Sequence, residues 1–253
     1  MQIVVLDLLT HYEQQGSGKT ILLLHGWADR LETFKPIMPE LAKNYHVLAV
    51  DLPGFGTTQA PKDVWDLDNY AQFVSDFVKK VESSANVFAV VGHSNGGAVA
   101  IRATALGSIQ PSKLVLLAAS GVRDTAGLKR AAIKLVAKTG KVMTLWLPKS
   151  TRRKLQKKLY GTVGSDMLIT PELIETFKRT VRQDIQDDAA GLSLPTLLIY
   201  GSQDTATPVA SIGKKLHSLI KDSHLEVIDG ADHFVHHTKD GQVNNLMQEF
   251  LKS

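Results

Sequence analysis

The sequence predicts an α/β protein with a mostly parallel sheet, and two observations lead to this prediction. Short runs of Val, Ile and Leu recur without polar alternation, which is typical of strands buried on both faces of a parallel sheet. Segments with helical spacing of apolar residues lie between several runs, as expected for strand–helix–strand units with right-handed crossovers. The predicted buried strands are Ile21–Leu24, Val47–Val50, Val87–Val91, Leu114–Ala118, Leu197–Tyr200 and Leu225–Ile228.

The remaining elements of the predicted core follow from local patterns. Residues 2–6 and 9–14 have no helix between them, so they predict an antiparallel edge of the sheet. Apolar residues recur at helical spacing from Tyr70 to Val81 and predict a helix. Two further helices are predicted at Pro208–Ile220, which begins with a proline suited to a first helical position, and at Asn244–Leu251.

Between residues 122 and 189 the alternation of strands and helices stops. Apolar residues keep a helical spacing over Leu128–Leu147, Lys149–Leu159 and Thr170–Ile185, and no strand-like run intervenes. The segment is too long for an ordinary crossover loop. The sequence therefore predicts a helical cap, 122–189, inserted between core segments 1–121 and 190–253.

The composition excludes several classes of protein. With 43% hydrophobic and 21% charged residues, the chain can bury a core and is not disordered. No run approaches the roughly 18 apolar residues of a spanning helix, and Asp7 interrupts an N-terminal segment that predicts a strand and not a signal peptide. The absence of cysteine excludes disulfides and a thiolate nucleophile. We expect a cytoplasmic protein without a metal or other cofactor.

The net charge of +4 is mild, but its distribution is uneven. Residues 121–190 hold 15 Lys and Arg against 7 Asp and Glu, with one cluster at Arg152, Arg153, Lys154, Lys157 and Lys158. Such a cluster could attract an acidic carrier protein or an anionic surface, although a solvated helix face is the simpler interpretation. No nucleic-acid motif accompanies it, so we expect no nucleic-acid partner.

The strongest chemical signal is Gly92-His93-Ser94-Asn95-Gly96, which follows a predicted strand and precedes a small-residue helix, Gly97–Ala105. A serine on so tight a strand-to-helix turn adopts a strained backbone that exposes its hydroxyl. The flanking positions must be small, so Gly92 and Gly96 have a steric reason to be present. We predict Ser94 as a nucleophile, with helix N-terminal amides nearby.

A serine nucleophile needs a base, and His233 is the favoured candidate among nine histidines. It lies just beyond the run Leu225–Ile228, which places it at the same edge of the sheet as Ser94. His236 and His237 are close in the chain and remain competitors, although they lie where a helix should begin.

The base in turn needs a carboxylate that orients its ring. Asp204 follows the strand Leu197–Tyr200 and is the favoured candidate, with Asp124 as the rival after the preceding strand. Asp232 is adjacent to the predicted base and better suited to the turn itself. Stabilisation of an oxyanion also needs backbone amides. We expect them from Asn95 and from Trp27, where Gly26 lets the chain turn sharply.

The order of His-Gly-x, Gly-x-Ser-x-Gly, Asp and His, each after a predicted strand, resembles the α/β-hydrolase family over nearly the whole chain. Asp51-Leu52-Pro53-Gly54-Phe55-Gly56 is similar to the Asp-x-Pro-Gly-x-Gly turn of capped members, and Leu197–Pro208 is similar to the family's acid-bearing segment. The resemblance implies an α/β-hydrolase fold, with an eight-stranded mostly parallel sheet flanked by helices. It also implies that the all-helical cap roofs an acyl pocket.

These residues predict a serine hydrolase that cleaves carboxylic esters of small to medium acyl groups. By resemblance, serine at position 94 argues against epoxide hydrolases and haloalkane dehalogenases, which carry aspartate there, and the His-Gly-Trp opening is similar to small bacterial carboxylesterases and pimeloyl-ester hydrolases. Two alternatives stay open: a carbon–carbon bond hydrolase of the meta-cleavage-product type, which usually has Asn where this chain has His93, and a non-catalytic ligand-binding member. The expected partner is a small-molecule ester, and the sequence is compatible with a monomer or a dimer.

Overall fold

The chain is described by a computed structural model over residues 1–82, 87–123 and 171–253, and these residues build one eight-stranded sheet. The strands are β1 (Gln2–Val5), β2 (Leu8–Gln15), β3 (Thr20–Leu24), β4 (His46–Val50), β5 (Ala89–His93), β6 (Lys113–Leu117), β7 (Thr196–Gly201) and β8 (Ser223–Ile228). Their order is β1-β2-β4-β3-β5-β6-β7-β8. The pairs β1–β2 and β2–β4 are antiparallel and every other neighbouring pair is parallel, which confirms the predicted α/β fold and the antiparallel edge.

Helices cover both faces of this sheet. Within the described residues they are α1 (Met38–Leu41), α2 (Leu67–Val81), α3 (Asn95–Ala105), α4 (Ile174–Arg182), α5 (Gln186–Gly191), α6 (Lys214–Leu219), α7 (Val235–Thr238) and α8 (Asp240–Lys252). None of these helices combines the length and the apolar character needed to cross a bilayer.

Two apolar clusters, one on each face of the sheet, explain the continuous apolar runs in the sequence. Successive side chains of a strand point to opposite faces. In β3, Leu22 and Leu24 join the cluster beneath α2 and α3, whereas Ile21 and Leu23 join the cluster beneath α1 and α8. Because both faces are covered, a polar residue at any of these positions would be buried, and all four side chains are fully buried.

Three details differ from the sequence-based expectations. The helix predicted from Pro208 begins only at Val209, because Pro208 keeps an extended ψ of 131°; a π-helical turn, Val209–Gly213, then leads into α6. The helix predicted up to Ile185 ends at Arg182, and α5 follows separately. The run Leu225–Ile228 does belong to a strand, but β8 is an edge strand and Val227 is 45% exposed.

Of the predicted cap, the structure describes residues 122–123 and 171–189, which include α4 and most of α5. The helical patterns of residues 128–159, the rival carboxylate Asp124 and the basic cluster at 152–158 lie outside the described residues. Helix α4 and the residue after it are tied to the start of α2 by two backbone donors. Trp65 N donates to Thr176 Oγ1 at 3.1 Å and Leu67 N donates to Gln183 Oε1 at 2.6 Å. The cap boundaries at 122 and 189 remain a prediction.

Candidate active site

The candidate site lies at the carboxyl edge of the parallel strands, where ligands bind in open α/β sheets. Ser94 directly follows β5, Asp204 follows β7 and His233 follows β8. These strands are not consecutive in the sheet order, since β6 separates β5 from β7. The loops after β7 and β8 are held together by Gln203 N, which donates to Ala231 O at 2.9 Å.

The turn at Ser94 has the strained geometry that its sequence predicts. Ser94 has φ 51° and ψ −117°, outside the regions that non-glycine residues usually occupy, and α3 begins at the next residue. A Cβ on Gly92 would lie 2.6 Å from Gly97 Cα, and a Cβ on Gly96 would lie 2.5 Å from His25 O. Both glycines are therefore required by the close approach of backbone to backbone.

Three of the predicted residues form one hydrogen-bonded series. His233 Nε2 lies 3.0 Å from Ser94 Oγ, and His233 Nδ1 lies 2.8 Å from Asp204 Oδ2. Since a carboxylate only accepts hydrogen bonds, Asp204 selects the tautomer in which Nδ1 carries the proton. Nε2 is then left with a lone pair facing the hydroxyl of Ser94. The side chain of His233 is 19% exposed, whereas that of Asp204 is fully buried.

The carboxyl of Asp204 is held in its charged form despite its burial. Burial raises its pKa, but hydrogen bonds and the charge interaction with His233, together with hydrogen bonds from Thr207, outweigh that effect and lower its pKa overall. The other carboxylate oxygen, Oδ1, accepts from Ala206 N at 2.8 Å and Thr207 N at 2.9 Å. The acid is thus fixed in orientation before any substrate binds.

Thr207 is a member of this site that the sequence argument did not name. Its Oγ1 lies 2.8 Å from Asp204 Oδ2 and 3.2 Å from His233 Nδ1. Aspartate side chains often accept from backbone amides a few residues later, but no sequence pattern singles out the hydroxyl of Thr207.

The two expected amide donors belong to segments that adjoin Ser94. Asn95 N is the first amide of α3 and has no helical acceptor. Gly26 packs closely on the serine, because a Cβ at Gly26 would lie 3.2 Å from Ser94 Cβ. Within the described residues, neither Trp27 N nor Asn95 N donates a hydrogen bond to the protein.

His25 fixes the direction of one of these amides. Its Nε2 accepts from Leu52 N at 2.9 Å, so its Nδ1 carries the proton and donates to Gly26 O at 2.7 Å. In a trans peptide the carbonyl and the following N–H point in opposite directions. Holding the Gly26 carbonyl therefore turns Trp27 N–H to the opposite side. Burial keeps His25 neutral by lowering its pKa.

The other histidines near the site have different contacts. His93 Nε2 donates to the His233 carbonyl at 3.1 Å, and burial, together with the neighbouring His233, lowers the pKa of His93 to about 3. His236 and His237, the competitors for the role of base, both turn to Thr33 Oγ1, at 3.1 and 2.9 Å. Neither contacts Ser94. Asp232 Oδ1 accepts from Phe234 N at 2.9 Å, which is the turn contact expected of it.

A family model described as the alpha/beta hydrolase family matches residues 21–246. The chain belongs to the alpha/beta hydrolase family. This assignment agrees with the observed strand order and the strained serine turn, and it confirms the resemblance inferred from the motifs.

Individual relatives place the chain among varied members of the alpha/beta hydrolase family. It is 26% identical to an uncharacterized hydrolase, YugF, from Bacillus subtilis, covering 96% of this chain and 93% of the relative. It is 28% identical to a pimeloyl-acyl-carrier-protein methyl ester esterase from Pseudoalteromonas atlantica, covering 94% and 96%. An esterase structure from Exiguobacterium antarcticum has the same fold, with a TM-score of 0.76, 21% identity and coverage of 100% and 99%.

Proposed function

We propose that this alpha/beta hydrolase family member is a serine hydrolase that cleaves carboxylic esters of small to medium acyl groups. The observation that carries the proposal is the hydrogen-bonded series from Ser94 Oγ through His233 to the buried Asp204. A hydroxyl, a neutral imidazole and an oriented carboxylate in this order are the parts needed to activate a serine at neutral pH.

In the proposed reaction, His233 Nε2 takes the proton of Ser94 as Oγ attacks the ester carbonyl carbon. The N–H groups of Trp27 and Asn95 donate to the oxyanion that develops. His233 then gives its proton to the leaving alkoxide, and the alcohol departs. Water attacks the acyl-enzyme with His233 again acting as base, which releases the acid and restores Ser94. Asp204 stabilises the imidazolium in both steps and stays ionised.

Three further observations support this proposal. Asp204 is charged and oriented by two backbone amides, so the imidazole tautomer suits proton acceptance from serine. The relative from Pseudoalteromonas atlantica carries the name of a methyl ester esterase at 28% identity. The part of the predicted cap that is described also borders this region, since Phe177 of α4 lies 5.0 Å from Trp27 between ring centroids.

The proposal is tested with purified Ser94→Ala and p-nitrophenyl butyrate. We expect kcat/KM to fall on the order of 10³-fold or more, because removal of the nucleophile leaves only binding and oxyanion contacts. Ser202→Ala is the matched control, since Ser202 lies at the same sheet edge but bonds to Asp229 instead, at 3.0 Å.

A fluorophosphonate probe gives a second, independent measurement. It should label the wild type at Ser94 and leave Ser94→Ala unlabelled, and a peptide map locates the adduct. Turnover of the ester by Ser94→Ala at the wild-type rate, or a failure of the probe to react with the wild type, would refute the mechanism.

A further inference from the structure

A cavity of about 180 Å³ lies beside the candidate site. Its lining includes Asn95, which follows Ser94 in the chain, and Thr207, which contacts Asp204 and His233. Apolar side chains from several elements also line the cavity: Leu67, Val122, Val181 and Ile212. The cavity is therefore shaped by α2, α3, α4 and the loops after β6 and β7.

Two buried polar groups in the lining have no partner. Asn95 is 7% exposed and Thr180 is 3% exposed, and neither Asn95 Nδ2 nor Thr180 Oγ1 has a hydrogen bond within the described structure. Buried polar atoms are nearly always paired in folded proteins. A helical threonine has an easy local acceptor in the carbonyl four residues back, and Thr104 of α3 uses it, donating to Ala100 O at 2.8 Å. Thr180 does not, so its hydroxyl stays available to the cavity.

The position of the cavity favours the acyl part of a substrate. In the proposed reaction the leaving alcohol lies near His233 Nε2, which protonates it. Among the described residues, the loop that carries His233 contributes nothing to the lining of the cavity. Asn95 does contribute, and its backbone N–H is one of the two proposed oxyanion donors. The cavity thus borders Asn95, the residue that follows Ser94, and not the loop that carries His233.

We propose that this cavity is a subsite for an acyl chain that carries a second carbonyl oxygen, bound by Asn95 Nδ2 and Thr180 Oγ1. A carbonyl oxygen has two lone pairs, and the amide nitrogen and the hydroxyl each supply a donor. Arg123 also lines the cavity, and its positive charge favours an electron-rich oxygen there. This inference rests on the proposed ester hydrolysis and adds a substrate class to it: esters of oxo acids.

The test compares p-nitrophenyl hexanoate with the 4-oxo and 5-oxohexanoate esters. For each enzyme the measured quantity is the ratio of kcat/KM for an oxo ester to kcat/KM for the hexanoate, so that the intrinsic reactivity of the esters cancels between variants. For the oxo ester that has the higher ratio in the wild type, we expect Thr180→Val to lower the ratio about three- to tenfold. This is the effect of losing one hydrogen bond without a change in the shape of the side chain. Thr180→Ser keeps the hydroxyl and should retain the wild-type ratio.

Thr176→Val is the matched control, because Thr176 lies one turn earlier on α4 and its hydroxyl serves Trp65 N, not the cavity. An equal fall of the ratio in Thr176→Val and Thr180→Val would mean that loosening of α4 is the cause, and the subsite would be rejected. An equal ratio in the wild type and Thr180→Val would reject it too, since the polar groups would then hold only water.

A binding measurement separates this inference from the proposed function. Calorimetric titration of the same esters into Ser94→Ala, with and without Thr180→Val, reports the subsite without any turnover. Suppose that Ser94→Ala prefers an oxo ester only when Thr180 is present, but the wild type hydrolyses no ester. That result would retain the subsite and refute the hydrolysis. Hydrolysis by the wild type without that preference, in titration or turnover, would refute the subsite and retain the hydrolysis.

Discussion

At the scale of single residues, Thr207 shares one hydroxyl among three groups. Its Oγ1 lies 2.8 Å from Asp204 Oδ2, 2.9 Å from Ala118 O and 3.2 Å from His233 Nδ1. A hydroxyl has one proton, so it donates to one of the two oxygens and accepts from the imidazole N–H. The proton on Nδ1 is then shared between Asp204 and Thr207. This arrangement makes Thr207 a positioning residue that restricts rotation of both the carboxylate and the ring.

Replacement of Thr207 should therefore lower kcat. We expect Thr207→Val to lower kcat for p-nitrophenyl butyrate about tenfold with little change in KM, because the imidazole loses part of its alignment while the substrate contacts remain. Thr207→Ser keeps the hydroxyl and should recover most of the rate. Steady-state kinetics and thermal melting are measured together. A lower melting temperature with unchanged kcat would leave Thr207 with a structural role only.

At the scale of secondary-structure elements, the junction between β5 and α3 depends on missing side chains. The backbone at Gly96 approaches the end of β3 so closely that an added Cβ would lie 2.5 Å from His25 O. Gly97 meets the loop after β6 in the same way, with a Cβ placed 2.6 Å from Ala119 Cβ. The helix can begin at the strand end only because these positions are glycine.

A single methyl group at this junction should have a large effect. Gly96→Ala should lower the free energy of unfolding by about 3 kcal/mol or more, because backbone atoms of β3 cannot move aside. Gly241→Ala is the matched control, since a Cβ at Gly241 of α8 meets nothing within 4 Å and should stabilise the helix by up to about 1 kcal/mol. Both values come from urea denaturation. Equal stability of the two variants would contradict the steric argument.

At the scale of the whole molecule, buried neutral histidines link stability to pH. His93 is 1% exposed and His25 and His236 are fully buried, and burial lowers the pKa of each. For His93 the folded pKa is about 3, against 6.5 for the unfolded side chain. Between these values the unfolded chain binds a proton that the folded chain does not. The contribution of the neutral histidine to the free energy of unfolding is therefore fully present above pH 6.5, and it declines as the pH falls below that value.

The expected slope can be measured by urea denaturation between pH 7 and pH 4.5. In this window His93 should lower the free energy of unfolding by up to about 1.4 kcal/mol for each unit that the pH falls, and His25 and His236 should act in the same direction. His236→Gln removes one of these histidines and should make the slope measurably flatter, whatever its stability at pH 7. An identical slope in His236→Gln and the wild type would refute this linkage.

Much of this architecture could be predicted from the sequence because its signals are local. Parallel strands such as β3 are apolar on both faces, and the constraint on Gly92 and Gly96 acts within one turn. The carboxyl-edge positions of Ser94, Asp204 and His233 followed from strand order. The hydrogen bonds then show that the three side chains contact one another, and their catalytic roles are proposals.

Other features could not be predicted, because they arise from contacts between distant segments. The hydroxyl of Thr207 bridges two residues from different loops, and the imidazole of His93 meets the His233 carbonyl across 140 positions. The exposure of β8 depends on its place at the sheet edge, which a run of apolar residues does not reveal. The start of the 208–220 helix at Val209 depends on the extended ψ of Pro208.

The position of His233 along the chain has a consequence for synthesis on the ribosome. Ser94 and its turn emerge early, but the imidazole that contacts the serine comes from the segment after the last strand. A nascent polypeptide therefore carries a serine without its base until residue 233 has been synthesised. Under the proposed mechanism, ester cleavage begins only when the segment that carries His233 docks, and fragments released by premature termination before residue 233 are inert.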